Sequence, residues 1–165
     1  MQNKTILTID GPAASGKGTV AHGVARLFDM AVLDTGLLYR LIGLAAHRAG
    51  IPPDEEVTVT ALAVRLAGEL QCTPSLLDDP DLRGRTAGVY ASVYAAIPGA
   101  RAALIDFQRD FAIHPPPFPD GRHPSGAVLD GRDCGTIICP DAPLKLYVTA
   151  HVDVRAHRRH RDLTE

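Results

Sequence analysis

The segment Gly11-Pro12-Ala13-Ala14-Ser15-Gly16-Lys17-Gly18-Thr19 constrains what this chain can fold into more than any other stretch. It follows a β-rich run, Thr5-Ile6-Leu7-Thr8-Ile9, that Asp10-Gly11-Pro12 brings to a stop. Beyond it, Val20, Val24, Leu27 and Phe28 stand at i, i+4, i+7 and i+8, the apolar stripe of an amphipathic helix that starts at Lys17. A glycine-rich loop between strand and helix lets successive amide N–H groups wrap a phosphate, and the helix start adds its positive dipole end. Lys17, inside the loop Gly11 to Thr19, then reaches the β- and γ-phosphates of a nucleotide. One position departs from the G-x-x-x-x-G-K-[ST] pattern. Gly18 stands where a hydroxyl meets magnesium, and the hydroxyl comes one residue later, at Thr19. An ordinary glycine-rich turn is the alternative, and the spacing together with the flanking elements favours a nucleoside-triphosphate site.

The same alternation continues. Ala31-Val32-Leu33 reads as a second strand stopped at Asp34-Thr35-Gly36, and Leu38, Leu41, Ile42 and Ala45 mark a helix ended by Gly50 and Pro52. Leu62, Leu66 and Leu70 predict a further helix, Thr73 to Pro80 a loop, and Ala87–Ala96 and Pro98–Ala112 two more helices. His114 to Pro124 is proline-rich and predicts an exposed, extended loop. Ala127-Val128-Leu129 is a third strand ending at Asp130-Gly131, Leu144 to Val148 a fourth, and Val152 to Leu163 a last helix. Strands alternating with helices imply an α/β chain with a parallel sheet. A length of 165 residues and 45% hydrophobic content suit one domain that folds without staples.

Charge and composition narrow the partners. The formal net charge of −2 argues against a nucleic-acid polymer. No apolar run approaches the ~20 residues of a membrane span, so no membrane is expected. Met1-Gln2-Asn3-Lys4 shows no leader layout, and three cysteines, an odd number, suit a reducing cytoplasm. Cys134 and Cys139 permit a zinc pair by spacing, but flank an apolar run and read better as small core residues. His22 and His47 read as surface or satisfied residues.

Open α/β sheets bind ligands at the carboxyl ends of their strands. Three clusters are candidates: Asp34-Thr35-Gly36-Leu37-Leu38-Tyr39-Arg40, Asp130-Gly131-Arg132-Asp133, and a helical one, Ser92 and Arg101 flanking Pro98. Asp130 fits a carboxylate that orients Mg²⁺ through water, with Thr19. Its alternative is a turn aspartate. Arg40, Arg101 and Arg132 are candidates for gripping an acceptor phosphate, each with a charge-assisted fork.

GPAASGKGT, DTGLLYR, IPGARAALIDFQRDFA and VLDGRDCGTIICPDAPLKLYV resemble bacterial cytidylate kinases, and the resemblance runs from Ile6 to about Arg159. It implies the three-layer P-loop NTPase fold with a helical nucleotide-binding insert at about residues 36–112, and phosphoryl transfer from ATP to CMP or dCMP. It further implies catalytic roles for Lys17, Asp130 and Arg132, and an acceptor site lined by Thr35, Arg40, Ser92, Arg101, Arg132 and Asp133. A carboxylate such as Asp133 is a natural acceptor for the cytosine amino group. A monomer acting on small molecules is expected. The stretch Val57–Asp81 is shorter than the corresponding insert of the family. The family's lid arginines, fifth strand and final helix would lie beyond Glu165, so weak turnover is expected, and Arg155, Arg158, Arg159 and Arg161 read as a solvated basic face. Another small-molecule kinase of adenylate or shikimate type, and a nucleotide-binding fragment without turnover, are the competing readings.

Overall fold

The computed structural model describes residues 5–164, so the tetrapeptide before Thr5 and the terminal Glu165 lie outside the described residues. In chain order the elements are β1 (Thr5–Asp10), α1 (Lys17–Phe28), β2 (Ala31–Asp34), α2 (Thr35–Arg48), α3 (Glu56–Cys72), α4 (Arg85–Tyr94), α5 (Pro98–Ile113), β3 (Gly126–Gly131), β4 (Leu144–Tyr147) and α6 (Val152–Thr164). They divide into two compact units, Met1–Thr35 with Gln108–Glu165, and Gly36–Phe107.

The first unit is a parallel sheet in the order β2-β3-β1-β4, flanked by helices, the α/β architecture that the alternation predicts and one consistent with the P-loop fold that the resemblance implies. All six residues of β3 are buried, as an inner parallel strand covered on both faces requires. Leu7, Ile9, Ala21, Ala25, Met30 and Val128 form the core, with Val20, Val24, Val32, Leu146 and Val148 packed against them. Burying each large aliphatic side chain contributes about 1.5–3 kcal/mol. The register pairs Asp34 with Asp130, Ile9 with Asp130 and Asp10 with Gly131. Parallel strands end on one side, so three aspartates from distant parts of the chain arrive at the carboxyl end of the sheet.

The second unit is helical. α3 buries Val59, Leu62, Ala63, Leu66, Ala67 and Leu70. A Cβ on Gly43 of α2 would meet the Tyr90 backbone at 2.7 Å, so α2 and α4 touch through a residue without a side chain. Among the described residues no single helix is long and apolar enough to cross a membrane.

Several expectations need correction. Leu27 and Phe28 are not core residues: they are 79% and 63% exposed, and α1 buries Ala21 and Ala25 instead. Alanine admits close packing on the sheet, Leu27 lies on the opposite side of the helix, and Phe28 is the last helical residue. β3 ends at Asp130-Gly131 as expected, but Thr35 opens α2 with no intervening turn. Thr73–Pro80 is not a plain loop: Pro74–Asp78 and Pro80–Arg83 are 3₁₀ turns, each opened by proline. The Asp79 carboxylate accepts the Asp81 N–H, and Arg48 pairs with both aspartates. The 114–124 stretch is not simply extended. It closes on itself through Phe118 N–H to the Arg122 carbonyl and Gly121 N–H to the Phe118 carbonyl, with Pro115 and Pro124 buried.

Candidate active site

The loop between β1 and α1 is shaped by backbone that side chains resist. Gly11 has φ of 151°, and a Cβ there would stand 2.0 Å from the Val148 carbonyl oxygen. No other residue fits. Gly16, at φ 99°, precedes α1 and offers no side-chain cap that would compete for the first-turn N–H groups. Ala14 takes a left-handed φ of 57°, which costs a residue with a Cβ about 1–2 kcal/mol. The Arg158 Nη1 donates to the carbonyls of Ser15 (3.2 Å) and Ala14 (3.4 Å) and holds this strained stretch from α6. Arg158 is therefore not only part of a solvated basic face.

Lys17 Nζ donates to the Pro12 carbonyl at 3.1 Å and stands 3.8 Å from Asp130 Oδ1. Both side chains are largely withdrawn from water. Burial pushes the Asp130 carboxyl up to about 6, the Lys17 ammonium opposes this, and Asp34 and Asp10 add to it. A Cβ on Gly18 would come within 3.5 Å of Asp130 Oδ2, so this carboxylate faces the backbone of Gly18 while the Thr19 side chain is exposed. The Ser15 hydroxyl is buried and has no hydrogen-bond partner among the described residues.

The strand-end loop after β3 is tied down on several sides. Asp10 accepts the N–H groups of Cys134 and Gly135, each at 2.8 Å, through its two carboxylate oxygens. The Thr35 hydroxyl donates to the Asp130 carbonyl at 2.9 Å and lies 3.9 Å from Cys134 Sγ. Cys134 and Cys139 are buried, and burial raises both thiols. Exposed Arg132 lines a cavity of about 380 Å³ together with Gly11, Pro12, Ala13, Tyr147 and Arg155. Asp133 is half-buried, and its carbonyl accepts the Ile137 N–H at 2.9 Å.

The remaining sequence candidates lie in the helical unit. The Arg40 Nη1 donates to the carbonyls of Leu82 (2.7 Å) and Gly84 (3.4 Å). Exposed Ser92 donates to the Val89 carbonyl at 2.7 Å within its own helix. The Arg101 guanidinium sits 5.7 Å from the centroid of the Tyr39 ring. Sequence reasoning did not single out Asp10 or Tyr147, and read Arg158 only as part of a basic face. Asp10 and Tyr147 both stand at strand ends, a signal that would have found them; Arg158 had none, because its contact is made across 143 residues.

Known proteins bear on this arrangement. Residues 7–165 match the cytidylate kinase family. A cytidylate kinase of Rhodospirillum rubrum is 51% identical over 158 residues, covering 96% of this chain and 69% of the relative. One of Paramagnetospirillum magneticum is 51% identical over 161 residues, covering 98% and 71%. A third, from a Methylobacterium species, is 48% identical over 158 residues, covering 96% and 68%. The chain belongs to the cytidylate kinase family. The match to the cytidylate kinases spans residues 7–165, beyond the GPAASGKGT, DTGLLYR and DGRD segments.

Proposed function

We propose that this chain transfers the γ-phosphoryl group of ATP directly to CMP or dCMP. The observation that carries this reading is Lys17, held between the Pro12 carbonyl and the Asp130 carboxylate at the mouth of the glycine loop. The orphaned, buried Ser15 hydroxyl and the uncapped start of α1 suit phosphate oxygens. Lys17 neutralises charge on the β- and γ-phosphates, and Gly11 to Thr19 wrap them.

Magnesium fits the donors present. Asp130 offers hard carboxylate oxygens, and Thr19 offers an accessible hydroxyl. Among the described residues no group of three or more His, Cys, Asp or Glu side chains is able to hold a metal, so the ion would complete its shell with phosphate oxygens and water. When bound, Mg²⁺ neutralises charge on the transferring phosphoryl group. No covalent intermediate is needed, because phosphoryl transfer is mostly positioning and electrostatic stabilisation.

On the acceptor side, Asp133 accepts the cytosine amino group, and Arg40, Arg101 and Arg132 bind the acceptor phosphate. Thr35 and Ser92 belong to the same reading, and their hydroxyls already donate to the Asp130 and Val89 carbonyls. The protein works as a monomer in the cytoplasm on nucleoside monophosphates.

The test is a phosphotransfer panel with CMP, dCMP, UMP, AMP and shikimate, measured as ADP release. Cytidine acceptors should dominate, and Asp133→Ala should damage them selectively. Equal loss for every acceptor would reassign Asp133 to a structural role, and preference for another acceptor would overturn the reading.

A further inference from the structure

We infer that Asp10 is the positioning residue for Arg132 and Asp133. The inference rests on the proposed acceptor roles of those two residues and deepens them. Asp10 ends β1, the strand that leads into the glycine loop. Its carboxylate turns sideways, towards the loop after β3. Oδ1 accepts Cys134 N–H and Oδ2 accepts Gly135 N–H, both at 2.8 Å and both in buried surroundings.

These two amides open a single π-helical turn, Cys134–Ile138, directly after Asp133. A turn this short leaves its first N–H groups without internal partners, and burial makes an unpaired N–H costly. The carboxylate satisfies two of them at once. At the other end of the turn, Arg109 Nε donates to the Ile138 carbonyl and Nη2 to the Ile137 carbonyl, each at 3.0 Å. The turn is thus clamped between an anion at its amide end and a cation at its carbonyl end, the orientation its peptide dipoles favour.

Asp133 is built into the clamp. Its carbonyl accepts the Ile137 and Ile138 N–H groups at 2.9 and 3.2 Å, so its backbone moves with the turn. Gly135 shows how close the fit is. A Cβ there would stand 2.6 Å from Thr8 Oγ1 and 3.2 Å from Asp10 Oδ2. The contact with Thr8 is one that a Cβ could not make without a shift, and the turn also packs tightly against Asp10. One carboxylate thereby links the strand behind the donor-phosphate loop to the residues proposed to read the acceptor.

Asp10→Asn tests this with little change of shape. The amide keeps one acceptor oxygen but turns an NH₂ towards a backbone N–H, leaving one buried donor unpaired. Two readouts are expected to move together. Amide hydrogen exchange at residues 132–135 should speed up roughly tenfold or more, the scale of one lost buried hydrogen bond. The KM for CMP should rise by about the same factor, with CMP-over-UMP preference falling, while ATP affinity changes by less than about threefold. Unchanged exchange at residues 132–135, or equal rises in the KM for ATP and CMP, would overturn the inference. If Asp10→Asn does not fold, trans-hydrogen-bond couplings from the Cys134 and Gly135 amides to the Asp10 carboxylate carbon in the wild-type protein decide the linkage, and their absence overturns it. A wild-type chain that phosphorylates no CMP would overturn the functional reading alone. The exchange measurement would then decide the role of Asp10 by itself.

Discussion

Lys17 Nζ lies 3.8 Å from Asp130 Oδ1, and both side chains are largely shielded from water. The lysine also donates to the Pro12 carbonyl, so its ammonium is held before any phosphate arrives. Lys17→Met keeps the stem and removes the charge. Phosphotransfer should fall by at least about 10²-fold, because a preorganised charge at the transferring group is worth several kcal/mol. Steady-state ADP release with saturating CMP measures this, and activity within threefold of wild type would exclude Lys17 from the reaction.

Asp130 has the opposite pH behaviour to a salt-bridged surface aspartate. Burial raises its carboxyl from the ordinary 3.8 to about 6, so between those values the folded chain binds a proton that the unfolded chain releases. Its contribution to stability is therefore greatest below about pH 4 and is lost as pH rises through 6, with a slope of at most about 1.4 kcal/mol per pH unit. Urea unfolding of wild type and Asp130→Asn at several pH values isolates this group. The variant should gain relative stability from pH 5 to pH 7, and a constant difference would refute the assignment.

Thr35 uses its hydroxyl inside the protein, donating to the Asp130 carbonyl at 2.9 Å in a buried setting. Thr35→Val preserves the shape and should cost about 1–2 kcal/mol in urea unfolding, whereas Thr35→Ser should cost less than half of that. Equal losses would mean that the methyl group, not the hydroxyl, matters.

Ala14 sits at φ 57° under the Arg158 guanidinium. Ala14→Gly relieves about 1–2 kcal/mol of left-handed strain and adds about 0.5–1 kcal/mol of unfolded-state entropy, so it should be neutral or stabilising by up to about 1.5 kcal/mol. Arg158→Ala removes the brace and should weaken ATP binding about three- to tenfold, read by calorimetry. Unchanged ATP affinity would show that the brace does not order the loop.

Periodicity and turn residues made the alternating elements legible, because those signals are local. Strand β1, the glycine loop and α1 follow from residues within one stretch, and so does the phosphate chemistry of Lys17. The face that α1 buries was not legible. Larger residues at 27 and 28 outscore alanines 21 and 25 in any apolar pattern, yet the sheet accepts the alanines because they permit close approach. Thr35 and Arg40 were legible as residues of a strand-end cluster, but not their partners, the Asp130 and Leu82 carbonyls, which lie far along the chain.

By itself the amino-acid order determined a parallel α/β chain with a nucleotide-phosphate loop, since glycine placement and apolar spacing act over a few residues. The tertiary structure alone decided that Asp130 lies beside Lys17 with a raised carboxyl, and that Asp10 grips the turn after Asp133. Both depend on strand register, which joins residues more than 100 positions apart and removes them from water together. Burial and charge proximity act through space, and no local pattern encodes that distance.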